Sequence, residues 1–481
     1  MSNRSLADFL EQLGQAGELI RIDAEVDPRL EVAEITRRAG AADGPALLFG
    51  SPRGCDMPVV TNLLGSVARI ERALGASLAE ITERLSLAVA PAEPENWLDR
   101  LKAGAHESAI RRFLPRSVKT GPCQQVIRLG GDVDLRQLPA LQCVPLEPGP
   151  TITAAQLWML DPHSSRTVVG RYDLAVLDGL RLAPFFGPCD EPARLLAGAR
   201  EPVPVAAVLG GDPLGLLAAA APLPPGFDAA ALAGLLGERP VEVVRCRAIP
   251  LEIPAEADIV IEGYFDPAEP PVQVGPWASM AGHYAPARRT PVIRVTAITH
   301  RANPVFPAIV AGLPPNESCH IAHALRRVLL PVVRLAIPEL VNYDLPMFGG
   351  VRRWTVVALR KSYAGQARKV AHAVWGYDPL AFTRTLVLVD EGVDVTDPQA
   401  VLRAISDHVD PRQDVILGQG PADPWDVDPS IDGCATRVAL DATRKLSGEA
   451  VPRVSLEADP AVRELVAQRW LEYGLGPPTG E

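Results

Sequence analysis

The stretch Pro254–Tyr284, PAEADIVIEGYFDPAEPPVQVGPWASMAGHY, decides the fold. Its first part reads as a strand from Asp258 to Tyr264. Ile259 and Ile261 share one face because side chains alternate along an extended backbone. An acidic, proline-rich turn follows, then Val274-Gly-Pro-Trp-Ala-Ser279 and Gly282-His-Tyr284. Outward from this strand lie further strand-like runs: Gln124–Leu129, Ala154–Leu160, Asp173–Leu177, Val203–Leu209, Val241–Cys246 and Pro291–Thr299. Pro139, Pro145, Pro148 and Pro150 make residues 139–150 an extended loop. Ala229–Leu236 is one of few helical segments. Many strands with few helices predict a β-rich central domain closed as a barrel.

Both flanks alternate helix and strand. Leu6, Phe9, Leu10 and Leu13 share the face of a helix over 3–16. Asp27-Pro28 opens a second helix to about Arg38, with Asp27 as its N-cap. Short strands are expected at Ala46–Phe49 and Pro58–Val60, a helix through Leu74, Leu78, Ile81 and Leu85, and a linker at Pro91–Pro94. Beyond Ser318, a helix over 319–330 leads into Trp354–Leu359, Ala367–Trp375, Thr385–Val389 and Val401–Val409, the strand–helix order of βαβ units. Asp459-Pro460 opens a last amphipathic helix through Leu471. These readings divide the chain into an N-terminal α/β domain (1–115), a central β-rich domain (116–316) and a C-terminal α/β domain (317–481), a mixed α/β protein without internal repeats.

The 481 residues are 47% hydrophobic and 22% charged, as expected of folded domains with sizeable cores. The net charge of -11 and the scattered placement of 47 Lys and Arg residues argue against a nucleic-acid partner. The N-terminus lacks the basic and apolar regions of a signal peptide, and no uncharged apolar run is long enough to span a membrane. Seven widely spaced cysteines without a CxxC predict reduced thiols, hence a cytoplasmic location.

The segments Leu6-Ala-Asp-Phe-Leu, Gly17-Glu-Leu-Ile-Arg-Ile, Gly44-Pro-Ala-Leu-Leu-Phe, Met57-Pro-Val-Val-Thr-Asn-Leu, Gly121-Pro-Cys-Gln-Gln, Asp132-Val-Asp-Leu, Ala233-Gly-Leu-Leu, Ser362-Tyr-Ala-Gly-Gln-Ala and Leu440-Asp-Ala-Thr-Arg-Lys occur in that order. Together with the opening stretch they resemble the UbiD family of prenylated-flavin-dependent decarboxylases. The resemblance is strongest to the 3-polyprenyl-4-hydroxybenzoate branch. It implies an N-terminal α/β domain, a central split β-barrel of flavin-reductase type, and a C-terminal α/β domain with a dimerisation helix. It further implies a homodimer or higher homo-oligomer, and a prenylated FMN tied down by a divalent metal such as Mn. In that chemistry a Glu-Arg-Glu/Asp network moves the proton and holds the carboxylate while the flavin accepts electrons.

Carried over residue by residue, the resemblance places the metal ligands at Val168, Cys189 (or its immediate neighbours) and Ala229. It places the catalytic Arg at Asp173, and the two acids at Val274 and Ser279. All six positions differ from the family pattern. Valine and alanine cannot coordinate a hard cation, and valine cannot relay a proton. Asp173 would repel a flavin phosphate by roughly 4 kcal/mol at about 4 Å. No cofactor and no metal are therefore expected. Gly170, Tyr172, Pro276 and Trp277 remain as walls of the corresponding pocket.

Three substitute groups are available. Arg171 shares a strand face with Asp173 and reads either as a replacement for the lost Arg or as half of a surface salt bridge. His283 reads as a catalytic or a hydrogen-bonded structural imidazole, and Cys189 as a nucleophile or a buried thiol. His320 and His323 form a His-x-x-His on a helix without a zincin glutamate. Gly210-Gly211 is a turn, not a phosphate loop. Asp390-Glu391, Glu252 and Glu256 read as solvated carboxylates. The leading expectation is a UbiD-like protein without flavin or metal, a non-catalytic partner or scaffold subunit beside an active paralogue. The alternatives are a divergent carboxy-lyase acting on an aromatic or α,β-unsaturated acid, and a module binding a small aromatic ligand in the vacated pocket. Asp173 would favour a cationic or donor-rich molecule there.

Overall fold

The strand Ile259–Phe265 lies in the middle of a nine-stranded sheet, and both of its faces are covered. Ile259, Ile261 and Phe265 enter the largest apolar core, and Val260 enters a second core on the opposite face. Its neighbours are Val203–Leu209 and Ile293–His300, both antiparallel. The same two-faced burial holds for Val203–Leu209, whose seven residues are all buried. Beyond these, the sheet runs through Gln156–Leu160 to Thr167–Arg171 on one side and through Arg181–Pro184 and Leu174–Val176 to Thr151–Ile152 on the other. Val126–Leu129 pairs with the far end of Ile293–His300. This computed structural model describes residues 4–89, 112–161, 164, 166–187, 190–224, 227–351, 353–425, 433–449 and 458–474. The predicted linker Pro91–Pro94 lies outside them.

The N-terminal sheet is short. Leu19–Val26 runs parallel to Ala46–Pro52, which pairs with Val59–Thr61. Phe306–Ala308, at the end of the central region, completes this sheet as a parallel fourth strand. The helix Leu6–Gln15 starts at Ser5 with a reciprocal capping box to Asp8, and buries Leu6, Phe9, Leu10 and Leu13. The second helix departs from expectation: it spans Glu31–Ala41, and Asp27 is not its N-cap. The reason is tertiary. The Leu30 N–H donates to the Gln142 carbonyl at 2.8 Å, which draws residues 28–30 against the proline-rich loop. Asp27 instead accepts from the Arg29 N–H at 2.8 Å.

The helix Glu317–Val328 packs into the same core as Leu6–Gln15 and Val67–Leu74. The Glu317 carboxylate accepts the Leu64 N–H at 2.7 Å, pinning the helix to the N-terminal domain. Leu330–Ala336 leads to a third sheet ordered Leu340–Asp344, Trp354–Leu359, Thr385–Asp390, Cys434–Asp441, Val415–Pro421. The three inner strands are parallel and both edge strands antiparallel. Its helices Gln366–Gly376 and Pro398–His408 lie on separate apolar clusters, as the alternating pattern requires. The terminal helix Pro460–Gln468 has no buried residue. Among the described residues, no helix is long and apolar enough to cross a membrane.

Candidate functional site

A cavity of about 400 Å³ opens where the central sheet meets the helix Glu317–Val328 and the loops of the third sheet. Its floor is the end of strand Thr167–Arg171 and the turn that follows. The strand is held to Gln156–Leu160, and the Tyr172 N–H then donates to the Ala155 carbonyl. Tyr172 folds back over Gly170, where a Cβ would stand 2.6 Å from its ring, so any side chain there would have to displace the Tyr172 ring. The Tyr172 ring meets Phe186 edge-on at 4.8 Å.

Arg171 and Asp173 both line the floor. The Arg171 Nη1 donates to Asp173 Oδ1 at 3.0 Å and to the Thr153 carbonyl at 2.7 Å. Their side chains are 13% and 12% exposed, so the pair is enclosed and is not the surface salt bridge of the bland sequence reading. Burial raises the Asp173 carboxyl, and Arg171 opposes that rise. Behind the pair a small pocket of about 20 Å³ adds a residue that the sequence reading passed over, Glu147. Its Oε2 accepts the N–H groups of Cys143 at 2.7 Å and Val144 at 3.2 Å. Burial pushes the Glu147 carboxyl up to about 7. The only sequence signal was a lone acid inside an apolar, proline-rich loop.

The other arginines of the cavity are each paired with a carboxylate of the chain. Four arginines and four carboxylates line it. Besides Arg171–Asp173, Arg166 pairs with Glu191, Arg194 with Asp378 at 3.7 Å, and Arg326 with the buried Asp344 at 3.1 Å. The walls between them are apolar, among them Val168, Phe185, Ile321, Leu325 and Trp425. Trp425 reaches in from the loops of the third sheet and packs on Phe185, ring centres 3.9 Å apart and planes tilted by 38°.

Of the positions that the resemblance assigns to chemistry, Val168 and Asp173 line the main cavity, and among the described residues the others do not. Val168 is buried in the main core, and Ala229 is buried on the helix Ala229–Leu236. Cys189 lies outside the described residues. Among the described residues, no three His, Cys, Asp or Glu side chains come together as a metal site. The groups present at Val168 and Ala229 do not fit a divalent cation, which needs oxygen or nitrogen donors. Val274 packs with Phe185 and Trp277. The Ser279 hydroxyl accepts from the N–H groups of Ala281 at 3.2 Å and His283 at 3.4 Å, which makes it the organiser of a tight turn. Neither Val274 nor Ser279 lines either cavity.

Pro276 follows a cis bond from Gly275. Trp277 lines the small pocket and donates from Nε1 to the Val274 carbonyl at 3.1 Å. His283 tethers loops: its Nε2 lies 3.2 Å from the Trp425 carbonyl and 3.1 Å from the Arg353 guanidinium. His320 and His323 are partly buried, and burial with the nearby Arg326 holds His323 down to about 4. Gly210 and Gly211 adopt positive φ at the end of strand Val203–Leu209, where the Gly211 N–H donates to Asp258 at 2.9 Å. Asp390 accepts the Arg444 N–H, while Glu391 pairs with Arg360 and Glu256 with Arg301. Glu252 accepts from the Ser117 hydroxyl.

Three sequence profiles match the chain: the 3-octaprenyl-4-hydroxybenzoate carboxy-lyase N-terminal domain over residues 10–89, its Rift-related domain over 116–314 and its C-terminal domain over 319–442. An uncharacterized protein of Aquifex aeolicus is 36% identical, spanning 98% of this chain and 99% of its own. The closed form of vanillic acid decarboxylase from Sedimentibacter hydroxybenzoicus superposes with a TM-score of 0.85 at 25% identity, covering 98% of this chain and all of its own (100%). The UbiD-class enzyme HmfF of Pelotomaculum thermopropionicum in complex with FMN gives a TM-score of 0.75 at 29% identity, covering 96% of this chain and 98% of its own. HmfF has also been solved in an evolved dimeric form with prFMN. From its first helix to its third sheet, the chain is built as these proteins are, and it belongs to the UbiD family.

Proposed function

We propose that this chain is a UbiD-family subunit that holds neither prenylated flavin nor metal and works in a (de)carboxylase system as the partner of another chain. The observation that carries this reading is the pairing of the cavity's cations. A flavin phosphate or a substrate carboxylate needs an uncommitted cation or a bound metal to meet it. Each of the four lining arginines already faces a carboxylate of the chain itself. The apolar side chains at Val168 and Ala229 support the same reading. The terminal helix and the turn Trp470–Tyr473 after it support the partner role: Val462 and Leu465 on the helix and Leu471 on the turn stand 52%, 49% and 80% exposed, and neither element has a buried residue. A face of this kind is stabilised by covering it with another subunit.

A second reading, a carboxy-lyase with a rebuilt site, rests on Glu147. A carboxyl near 7 beside the Arg171–Asp173 pair has the proton affinity of a general acid or base at neutral pH. The experiment that separates the two is production of the chain together with a flavin prenyltransferase in Mn-supplemented medium. A colourless, metal-free, folded protein is expected, and it should gain a partner when a UbiD-type paralogue is co-produced. A prenylated-flavin absorption band with stoichiometric metal would overturn the proposal and give precedence to the enzyme.

A further inference from the structure

We infer that the central cavity is a binding site for a small amphiphile with an uncharged or cationic hydrogen-bond-donating head, such as a phenol, an alcohol or an amine, and that it discriminates against carboxylates. This deepens the reading above and rests on it, since the same space cannot also hold a flavin.

The argument starts from shape. The cavity is about 400 Å³, within the range of small-molecule sites, and its long walls are aliphatic and aromatic. Val168, Ile321, Leu325, Phe185 and Trp425 offer an apolar slot for a ring or a short chain. Arg171 and Asp173 line both the main cavity and the small pocket holding Glu147, so the junction of the two is one polar end of the slot.

The sign of that end then selects the head group. The Arg171 guanidinium is fixed by Asp173 and by the Thr153 carbonyl, so its positive charge is neutralised where a ligand would meet it. Asp173 and Glu147 bring two carboxyl groups to one enclosed floor, against one guanidinium. A second carboxylate introduced by a ligand would find no free cation and two acids close by, in surroundings that screen charge poorly. A hydroxyl or an ammonium would instead donate to Asp173 or Glu147 while its apolar body fills the slot. Elsewhere on the lining the same rule holds, because Arg166, Arg194 and Arg326 are paired with Glu191, Asp378 and Asp344.

The test uses two probes with one body and different heads, 4-hexylphenol and 4-hexylbenzoate, titrated calorimetrically into the full chain at pH 8, with FMN titrated in parallel. The phenol is expected to bind one per chain and at least tenfold more tightly than the benzoate. Asp173→Asn releases the Arg171 guanidinium and should tighten the benzoate at least tenfold. Should that variant fail to fold, Glu147→Gln retains acceptors for the Cys143 and Val144 N–H groups and should tighten the benzoate in the same direction. Benzoate binding as tight as phenol binding in the unaltered chain, or no saturable binding of either probe, overturns the inference while leaving the partner reading intact. One FMN bound per chain overturns that reading instead, and this inference with it.

Discussion

The two halves of Pro254–Tyr284 use carboxylates in opposite ways. At the start of the strand and within it, Asp258 and Glu262 are buried and spend their oxygens on the backbone. Asp258 takes the N–H groups of Gly211 at 2.9 Å and Val305 at 3.2 Å, and Glu262 takes those of Arg247 at 3.0 Å and Ala248 at 2.6 Å. Some ten residues on, where the family resemblance expects acids for proton chemistry, stand Val274, packed on aromatic rings, and Ser279, folded into its own turn. Within this stretch, Asp258 and Glu262 organise the scaffold, and positions 274 and 279 carry no acid. The motif therefore identifies the fold through its first half and says little about catalysis through its second.

The comparison breaks first if Glu262 proves dispensable. Glu262→Ala leaves two partly buried N–H groups without their carboxylate acceptor and should cost roughly 3–6 kcal/mol in chemical denaturation, at about 1.5–3 per charge-assisted bond. Val274→Glu asks the opposite question. Restoring an acid at that position drives a carboxyl into the apolar cluster of Phe185 and Trp277, which should lower stability by roughly 3 kcal/mol and confer no flavin binding.

The third prediction concerns pH. Glu147 is raised in the folded chain, so the folded state binds its proton more tightly than the unfolded state does. Its stabilising contribution is complete below about pH 4.5 and is lost as pH rises through about 7. Glu147→Gln removes that loss. The variant should match the unaltered chain near pH 4.5 and exceed it by roughly 2–3 kcal/mol at pH 8, with denaturation midpoints across that range as the check. A constant difference at all pH values would remove Glu147 from the set of enclosed acids. The smallest effect is expected at Ser279→Ala, which forfeits two turn hydrogen bonds for roughly 1 kcal/mol and leaves probe binding in the cavity unchanged, because the hydroxyl does not line it.

The fold was legible because period and order are local. The strands Val203–Leu209 and Trp354–Leu359 and the helix Leu6–Gln15 follow directly from their apolar spacing. The helix start at Glu31 was not legible, because the Gln142 carbonyl that displaces Asp27 from the cap comes from a distant loop. The site divides in the same way. Arg171 and Asp173 are two residues apart, so their meeting is local in the chain, although the strand ends at Arg171 and Asp173 lies in the turn beyond it. The partners Arg194 and Asp378, or Glu147 and the Arg171–Asp173 floor, meet only through the packing of separate domains and loops. The most informative property of the cavity, that every lining arginine is already paired, is a property of the assembled chain.

The central claim is tested most directly by equilibrium dialysis of the purified protein against FMN and Mn2+, with HmfF dialysed alongside as a chain solved with FMN. Equal FMN on both sides of the membrane for this protein, with retention by HmfF, is the predicted result. Retention of one FMN and one Mn2+ per chain would contradict it and show that the paired arginines open to admit a phosphate.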